Sequence, residues 1–378
     1  MSWSFRIARV AGIDIKVHLT FFLIVVLGAL QWGSYGLRGA LFGALLTILL
    51  FACVTLHELG HSIVAQHFGI PVREIVLFPL GGVALLSRNP QQPLHELLIA
   101  IAGPLVNVVI AAVLLPITGA AAALYGLGQR GLLLGRDLAP SIPTLLLWLL
   151  AANIALVLFN LIPAFPLDGG RMFRAILAMV MGFRRATRIA ANVGQLFAIV
   201  LGVLGVLGGN LLLVLVAVFI FFGAGQELAE GQARAVLTTL RVGDAYNKYA
   251  LRLSIGDRVS RVVDYLLTSY QPDFAVLQGN SLLGIVTRED VLRALAEDTR
   301  DVYVTGIMRR DVVRVDANAT LDQARQTMLD HNTRIVAVYD GNTYLGLVSI
   351  EDISEAFTVI SFLQRQQEAR RAEQAGAG

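Results

Sequence analysis

The residues best able to do chemistry are His57-Glu58-Leu59-Gly60-His61, at the end of a long apolar stretch. Histidines four positions apart differ by about 40° around an α-helix, so both imidazoles face one side and can share one cation. Glu58 lies about 60° from His61 and borders the same sector, where a carboxylate can take a proton from water activated by a metal. Ionisable groups inside an apolar helix are expensive and usually functional. A solvated polar helix end would explain the residue types but not their spacing.

Two histidines do not complete a catalytic zinc site, which takes three protein ligands and leaves one position open. The best third candidate is Asp168, in Asn160-Leu161-Ile162-Pro163-Ala164-Phe165-Pro166-Leu167-Asp168-Gly169-Gly170. Two prolines and two glycines break the preceding apolar helix, and helices broken at membrane depth are tolerated where they line a cavity. A helix-end Asp facing headgroups beside Arg171 is the plainer alternative. Asn160 is a candidate to hold a substrate carbonyl or to polarise the cleavage intermediate. His67 leaves the ligand face, and His18, His95 and His331 are isolated in sequence. Cys53 reads as a small buried thiol.

These groups need a membrane scaffold. The chain has 378 residues, 56% hydrophobic and 15% charged, with a mean hydropathy of +0.68. Soluble chains are about 45–50% apolar and about 25% charged, so the departure points to a multi-pass α-helical membrane protein. A bilayer core of about 30 Å takes about 20 apolar residues per helix. Six spans are expected: 18–33, 39–68, 97–122, 143–162 and two within 191–225, split by Gly208, Gly209 and Asn210. Between the second and third, short β-branched runs broken by Pro and Gly predict a small membrane-associated β hairpin.

Basic residues favour cytoplasmic loops. With the N-terminus inside, the inner segments hold Arg6, Arg9, Lys16, Arg73, Arg88, Arg171, Arg174, Arg184, Arg185 and Arg188, and the outer ones Arg38, Arg130 and Arg136. Ten against three favours both ends in the cytoplasm. The net charge of +3 sits beside apolar runs, which suits a membrane surface and not nucleic acid. No cleavable signal peptide stands out. The single cysteine excludes an intrachain disulfide.

After about Leu237 the composition turns soluble. The stretch from Asp273 (DFAVLQGNSLLGIVTREDVLRAL) and that from Arg334 (RIVAVYDGNTYLGLVSIEDISEAF) share one pattern: strand, Gly turn, strand, then an Asp opening a helix. Gly284 and Gly346 mark a duplication. Thr287 with Asp290, and Ser349 with Asp352, sit where a helix start offers free N–H groups to an anion; plain helix capping also fits. The expected division is 1–230 for the membrane domain, 231–241 for a linker, 242–300 and 301–362 for the repeats, and 363–378 for a polar, frayed tail.

The His57–His61 pentapeptide, together with Asn160–Gly170, resembles the site-2 protease family of intramembrane zinc metalloproteases. Gly103-Pro104-Leu105-Val106-Asn107 and Phe78-Pro79-Leu80-Gly81-Gly82-Val83 resemble further elements of it, and the likeness covers about residues 1–225. The resemblance implies one Zn2+ per chain on His57, His61 and Asp168, Glu58 as general base, and Asn160 in support of catalysis. It implies that Gly81 and Gly82 help to present the substrate as an extended strand. It also implies a single-span membrane substrate, such as an anti-sigma factor or membrane-held regulator, cut in regulated intramembrane proteolysis.

The repeats resemble tandem CBS domains, α/β modules that bind nucleotides such as ATP or AMP or that dimerise. The resemblance implies phosphate and ribose contacts for Thr287, Asp290, Ser349 and Asp352. A CBS-gated membrane transporter or channel remains an alternative, since it explains the soluble pair and the broken fourth helix, but it has no need of two histidines flanking a glutamate. An inactive scaffold has no need of Glu58 and Asp168.

Overall fold

The protein is described from a computed structural model over residues 3–79, 81–86, 90, 92–124, 139–269, 271–297 and 301–376. Arg88, Arg130 and Arg136 of the orientation count and Leu80 of the hairpin lie outside these residues. The chain divides into two compact units, Met1–Gly231 and Gln232–Gly378.

The first unit runs β1 (Ser4–Val10), β2 (Ile13–His18), α1 (Phe21–Gln31), α2 (Gly36–His67), β3 (Val72–Phe78), β4 (Gly81–Leu86), α3 (Pro93–Leu124), α4 (Ile142–Asn160), α5 (Asp168–Met181), α6 (Phe183–Leu207) and α7 (Leu211–Leu237). Helices α2, α3, α4, α6 and α7 are long and apolar enough to cross a membrane. The first of the six expected spans is α1, whose 11 residues rise only about 16 Å. The segment is shortened because β2 takes His18 at its start and a 3-10 turn over Gly33–Tyr35 takes its end. The long helices turn large apolar side chains outward, Leu41, Leu45 and Ile48 of α2 among them, as lipid-facing helices do.

The expected hairpin is β3 with β4, paired antiparallel. It belongs to a four-stranded sheet in the order β1-β2-β3-β4, in which β2 and β3 run parallel. The two N-terminal strands were not anticipated. Their signal is present in β2, where Ile13, Ile15 and Val17 are buried and alternate with Asp14 and Lys16, the period-2 pattern of a half-buried strand. Those three side chains share a core with Ile75 and Leu77 of β3 and with Phe51 and Leu59 of α2. The sheet therefore rests on the helix that carries the two histidines.

The expected break near Asp168 is a tight turn between two helices, and α5 was not foreseen. Ala164 and Phe165 in that turn are fully buried. The paired glycines follow from this fold-back. A Cβ on Gly169 would lie 2.3 Å from the Ile162 oxygen, and one on Gly170 would lie 2.5 Å from the Phe165 nitrogen.

The second unit contains a one-turn helix α8 (Val242–Ala245), β5 (Arg252–Ser254), α9 (Val259–Thr268), β6 (Asp273–Gln278), β7 (Ser281–Thr287), α10 (Arg288–Glu297), β8 (Arg314–Asp316), α11 (Leu321–Asp330), β9 (Ile335–Asp340), β10 (Thr343–Ser349) and α12 (Ile350–Gly376). Its two three-stranded sheets have the same order, β5-β6-β7 and β10-β9-β8, with one parallel and one antiparallel pair in each. They meet through Ala275, Leu277 and Ile285 on one side and Ile335, Ala337 and Tyr339 on the other. The segment expected as a frayed tail continues α12 to Gly376. Its Ala, Gln, Glu and Arg are good helix formers.

Candidate active site

Three buried residues from two distant parts of the first unit converge. His57 and His61 lie on α2, about 15 Å and about 9 Å inside its C-terminal end by helical rise. Asp168 is the first residue of α5, where the helix macrodipole favours a negative charge. His57 Nε2 and His61 Nε2 are 3.1 Å apart. Asp168 Oδ2 lies 3.2 Å from the first and 3.1 Å from the second. The three side chains are 8%, 10% and 11% exposed, so bulk water cannot satisfy them.

Each imidazole is held from behind. His61 Nδ1 lies 2.6 Å from the Ile99 carbonyl oxygen, which can only accept, so Nδ1 carries a proton and, in the neutral ring, Nε2 is left as the acceptor. His57 Nδ1 donates to Asn107 Oδ1 at 3.0 Å, with the same consequence. Such outer partners fix the tautomer and orientation of metal-binding histidines. In the sequence Asn107 and Gly103 stand out only within the family resemblance, which gives them no role. A polar Asn in an apolar span was the available signal for the first. The Ile99 carbonyl belongs to the backbone and leaves no trace in side-chain types.

Two bare nitrogens and a carboxylate oxygen thus face one another with no proton donor between them. All three repel one another unless a proton or a metal ion lies among them, and among the described residues these are the only three such groups gathered in this way. The separations suit zinc. Bonds of about 2.0–2.1 Å in a tetrahedron put neighbouring ligand atoms about 3.3 Å apart. Space for the rings comes from α3: a Cβ on Gly103 would fall 2.1 Å from His61 Nε2 and 2.7 Å from His57 Nε2.

Glu58 is half-buried and lies against β4, where a Cβ on Gly82 would be 2.7 Å from Glu58 Cγ. Gly81 begins the same strand with φ of 138°. Asn160 is the last residue of α4 and half-buried; no hydrogen bond among the described residues ties it to the three convergent groups. His95 stacks on Phe68 and His18 bonds Thr20, both away from the cluster. Cys53 is a buried free thiol.

Residues 45–129 and 132–201 match Peptidase family M50. Over 362 residues the chain is 32% identical to a zinc metalloprotease of Methanocaldococcus jannaschii, covering 95% of this chain and 98% of that relative. The chain belongs to peptidase family M50. As an M50 peptidase it is a zinc metalloprotease with several membrane-crossing helices, and its family implies Zn2+ as cofactor. Stage IV sporulation protein FB of Bacillus subtilis is 28% identical over 189 residues, half of this chain and 57% of that relative. A solved site-2 protease from Methanocaldococcus jannaschii is 40% identical, covering 60% of this chain and 95% of that one, with a TM-score of 0.42. Residues 304–358 match the CBS domain, so this M50 peptidase carries a CBS domain after its membrane unit.

In the second unit the two repeats differ at their Asp positions. Asp290 is saturated. Arg309 donates to its Oδ1 from Nε at 3.0 Å and Nη2 at 2.8 Å, and Thr287 donates to its Oδ2 from N at 3.1 Å and Oγ1 at 2.7 Å. Burial raises the Asp290 carboxyl, but the Arg309 and Thr287 hydrogen bonds outweigh it and hold the group below its ordinary value. Asp352 Oδ2 accepts from Ser349 N and Oγ, both at 2.8 Å. Its other oxygen has no hydrogen-bond or ion-pair partner among the described residues.

Proposed function

We propose that this M50 peptidase cleaves peptide bonds of membrane-spanning proteins at a zinc held by His57, His61 and Asp168, with Glu58 as general base. The observation that carries the proposal is the convergence of three acceptor atoms, spaced as tetrahedral ligands, with no donor among them. When bound, zinc supplies Lewis acidity that brings the pKa of water toward about 7 and polarises a carbonyl. The neutral rings of His57 and His61 present bare Nε2 atoms because their Nδ1–H groups donate to Asn107 Oδ1 and the Ile99 carbonyl. Asp168 offsets half of the cation's charge. The Glu58 carboxylate accepts a proton as the water oxygen bonds to the substrate carbonyl carbon. It returns that proton to the amide nitrogen as the C–N bond breaks.

The sheet supports a mode of substrate binding. β4 is an edge strand, and an extended peptide can add to such an edge through backbone hydrogen bonds. Gly82 seats that edge against Glu58, so an added strand passes beside the base. In this reading Asn160 donates to a substrate carbonyl, which its half-buried position at the helix end leading into the Asp168 turn supports. A helical substrate must unwind first, and Gly, Pro or Asn within it would ease this. The fitting substrate is a single-span protein such as an anti-sigma factor or membrane-held regulator. The flanking basic residues, Arg6, Arg9, Lys16 and Arg184–Arg188 among them, support cytoplasmic placement of the N-terminus and the CBS unit.

Asp168→Ala is expected to lower bound zinc from one per chain toward none by elemental analysis, and to stop cleavage of a single-span membrane protein in vesicles. Unchanged zinc would remove Asp168 from the ligand set.

The same reading gives the CBS unit, with repeats at 242–300 and 301–362 after the 231–241 linker, a regulatory role through one nucleotide per chain. Asp352 keeps an oxygen for a ribose hydroxyl, while Arg309 latches Asp290. Titration of the full-length protein with AMP and ATP is expected to saturate at one molecule per chain. Asp352→Ala should abolish binding, and Arg309→Ala should raise the number toward two. Two sites in the wild type, or none, would overturn this. Sedimentation of the full chain tests homodimerisation through the same unit.

A further inference from the structure

We propose that Arg174 is a positioning residue for the metal centre, clamping the helix that carries Asp168 to the helix that orients His61. The inference rests on the ligand set proposed above.

Arg174 lies on α5, nearly two turns after Asp168. Its Nε and Nη2 both donate to Glu96 Oε1 on α3, the first at 2.8 Å. Its Nη1 donates to Glu227 Oε2 on α7 at 2.8 Å. The guanidinium face sits 4.9 Å from the centroid of Phe165, which is fully buried in the turn leading into Asp168. Glu96 is 4% exposed and lies one turn before Ile99, whose carbonyl fixes His61. One rigid side chain therefore touches the Asp168 turn, the α3 segment behind His61, and α7.

Stability alone gives a poor account of this arrangement. A buried ion cluster loses so much hydration that well-packed apolar residues are often as stabilising or more so. Here one cation is shared by two carboxylates, and the second oxygen of Glu96 has no hydrogen-bond partner among the described residues. That residue lines a cavity of about 90 Å³ with Arg171 and Glu230, which is polar and large enough for water. What the cluster supplies is geometry. A guanidinium is a flat fork that fixes distance and angle together, which a lysine cannot do. Metal sites tolerate errors of only about 0.2 Å in ligand distance, so small slips of α5 along α3 would move Asp168 out of place.

The test uses the full-length protein in detergent, with zinc affinity measured by chelator competition and the visible ligand-field bands of the Co2+-substituted protein as a reporter of ligand geometry. Arg174→Gln is expected to weaken zinc by about 10–100-fold, as loss of outer support does elsewhere, and to alter the Co2+ bands. Arg174→Lys, which keeps the charge but not the fork, should give a smaller change in the same direction, and it carries the test if the Gln variant fails to fold. Asp168→Ala serves as reference. If it leaves zinc affinity unchanged, the ligand set itself is wrong. If it weakens zinc while the Arg174 variants keep wild-type affinity and native Co2+ bands, even with a lowered melting temperature, the positioning role is wrong and the cluster is only structural.

Discussion

Glu58→Gln is expected to lower cleavage by about 10²–10⁴-fold, the usual contribution of a positioned general base, while zinc stays at one per chain. The amide matches the carboxylate in shape, so its packing against Gly82 is kept. It has no basic oxygen with which to take a proton from water at neutral pH. The metal is untouched because the three convergent groups do not include Glu58. Cleavage at the wild-type rate would remove Glu58 as the base. Loss of zinc would instead make it a ligand. The same variant, expressed in cells, should accumulate the uncut natural substrate and so identify it.

Gly103→Ala should be nearly as damaging without touching a chemical group. The added Cβ would fall 2.1 Å from His61 Nε2, 2.5 Å from His61 Cε1 and 2.7 Å from His57 Nε2. The rings cannot rotate away cheaply, because Ile99 and Asn107 hold their far nitrogens. Moving α3 back would loosen its contact with α2, where Gly60 already packs on the Ala102 oxygen and Val106. Overpacking of this kind costs about 1–3 kcal/mol in ordinary cores, and here the strain falls on the ligand atoms. Zinc content is expected to drop to the level of Asp168→Ala. A Gly103→Ala protein that binds one zinc and cleaves normally would mean that the helices separate more easily than these contacts imply.

The membrane class was legible because hydrocarbon imposes a composition. Long apolar helices satisfy their own backbone groups, so their hydropathy survives as a direct record in the sequence. The 18–33 segment shows the limit of that record. Hydropathy registers apolar residues but not the competing claim of a strand on His18 or of a turn on Trp32 and Gly33. The N-terminal strands went unread for a related reason. β2 pairs with β3 across the whole of α2, β1 is held only through β2, and such long-range pairing leaves only a short alternation in Ile13, Ile15 and Val17.

By itself the sequence determined the chemistry available. Two histidines on one face of a helix, a glutamate beside them and an aspartate after a broken span already specify a metal and a base, because spacing on a helix is local geometry. It also determined the duplicated C-terminal repeats, whose turn and capping residues act over a few positions. Only the tertiary structure decided that Asp168 meets the histidines, that Asn107 and the Ile99 carbonyl set their tautomers, and that Arg174 ties the pieces together. Those relations depend on how four helices pack, α2, α3, α5 and α7. Packing is fixed by small residues such as Gly103 and Gly60 at close approaches, where what matters is an absent side chain, and an absent side chain carries no chemical signature of its own.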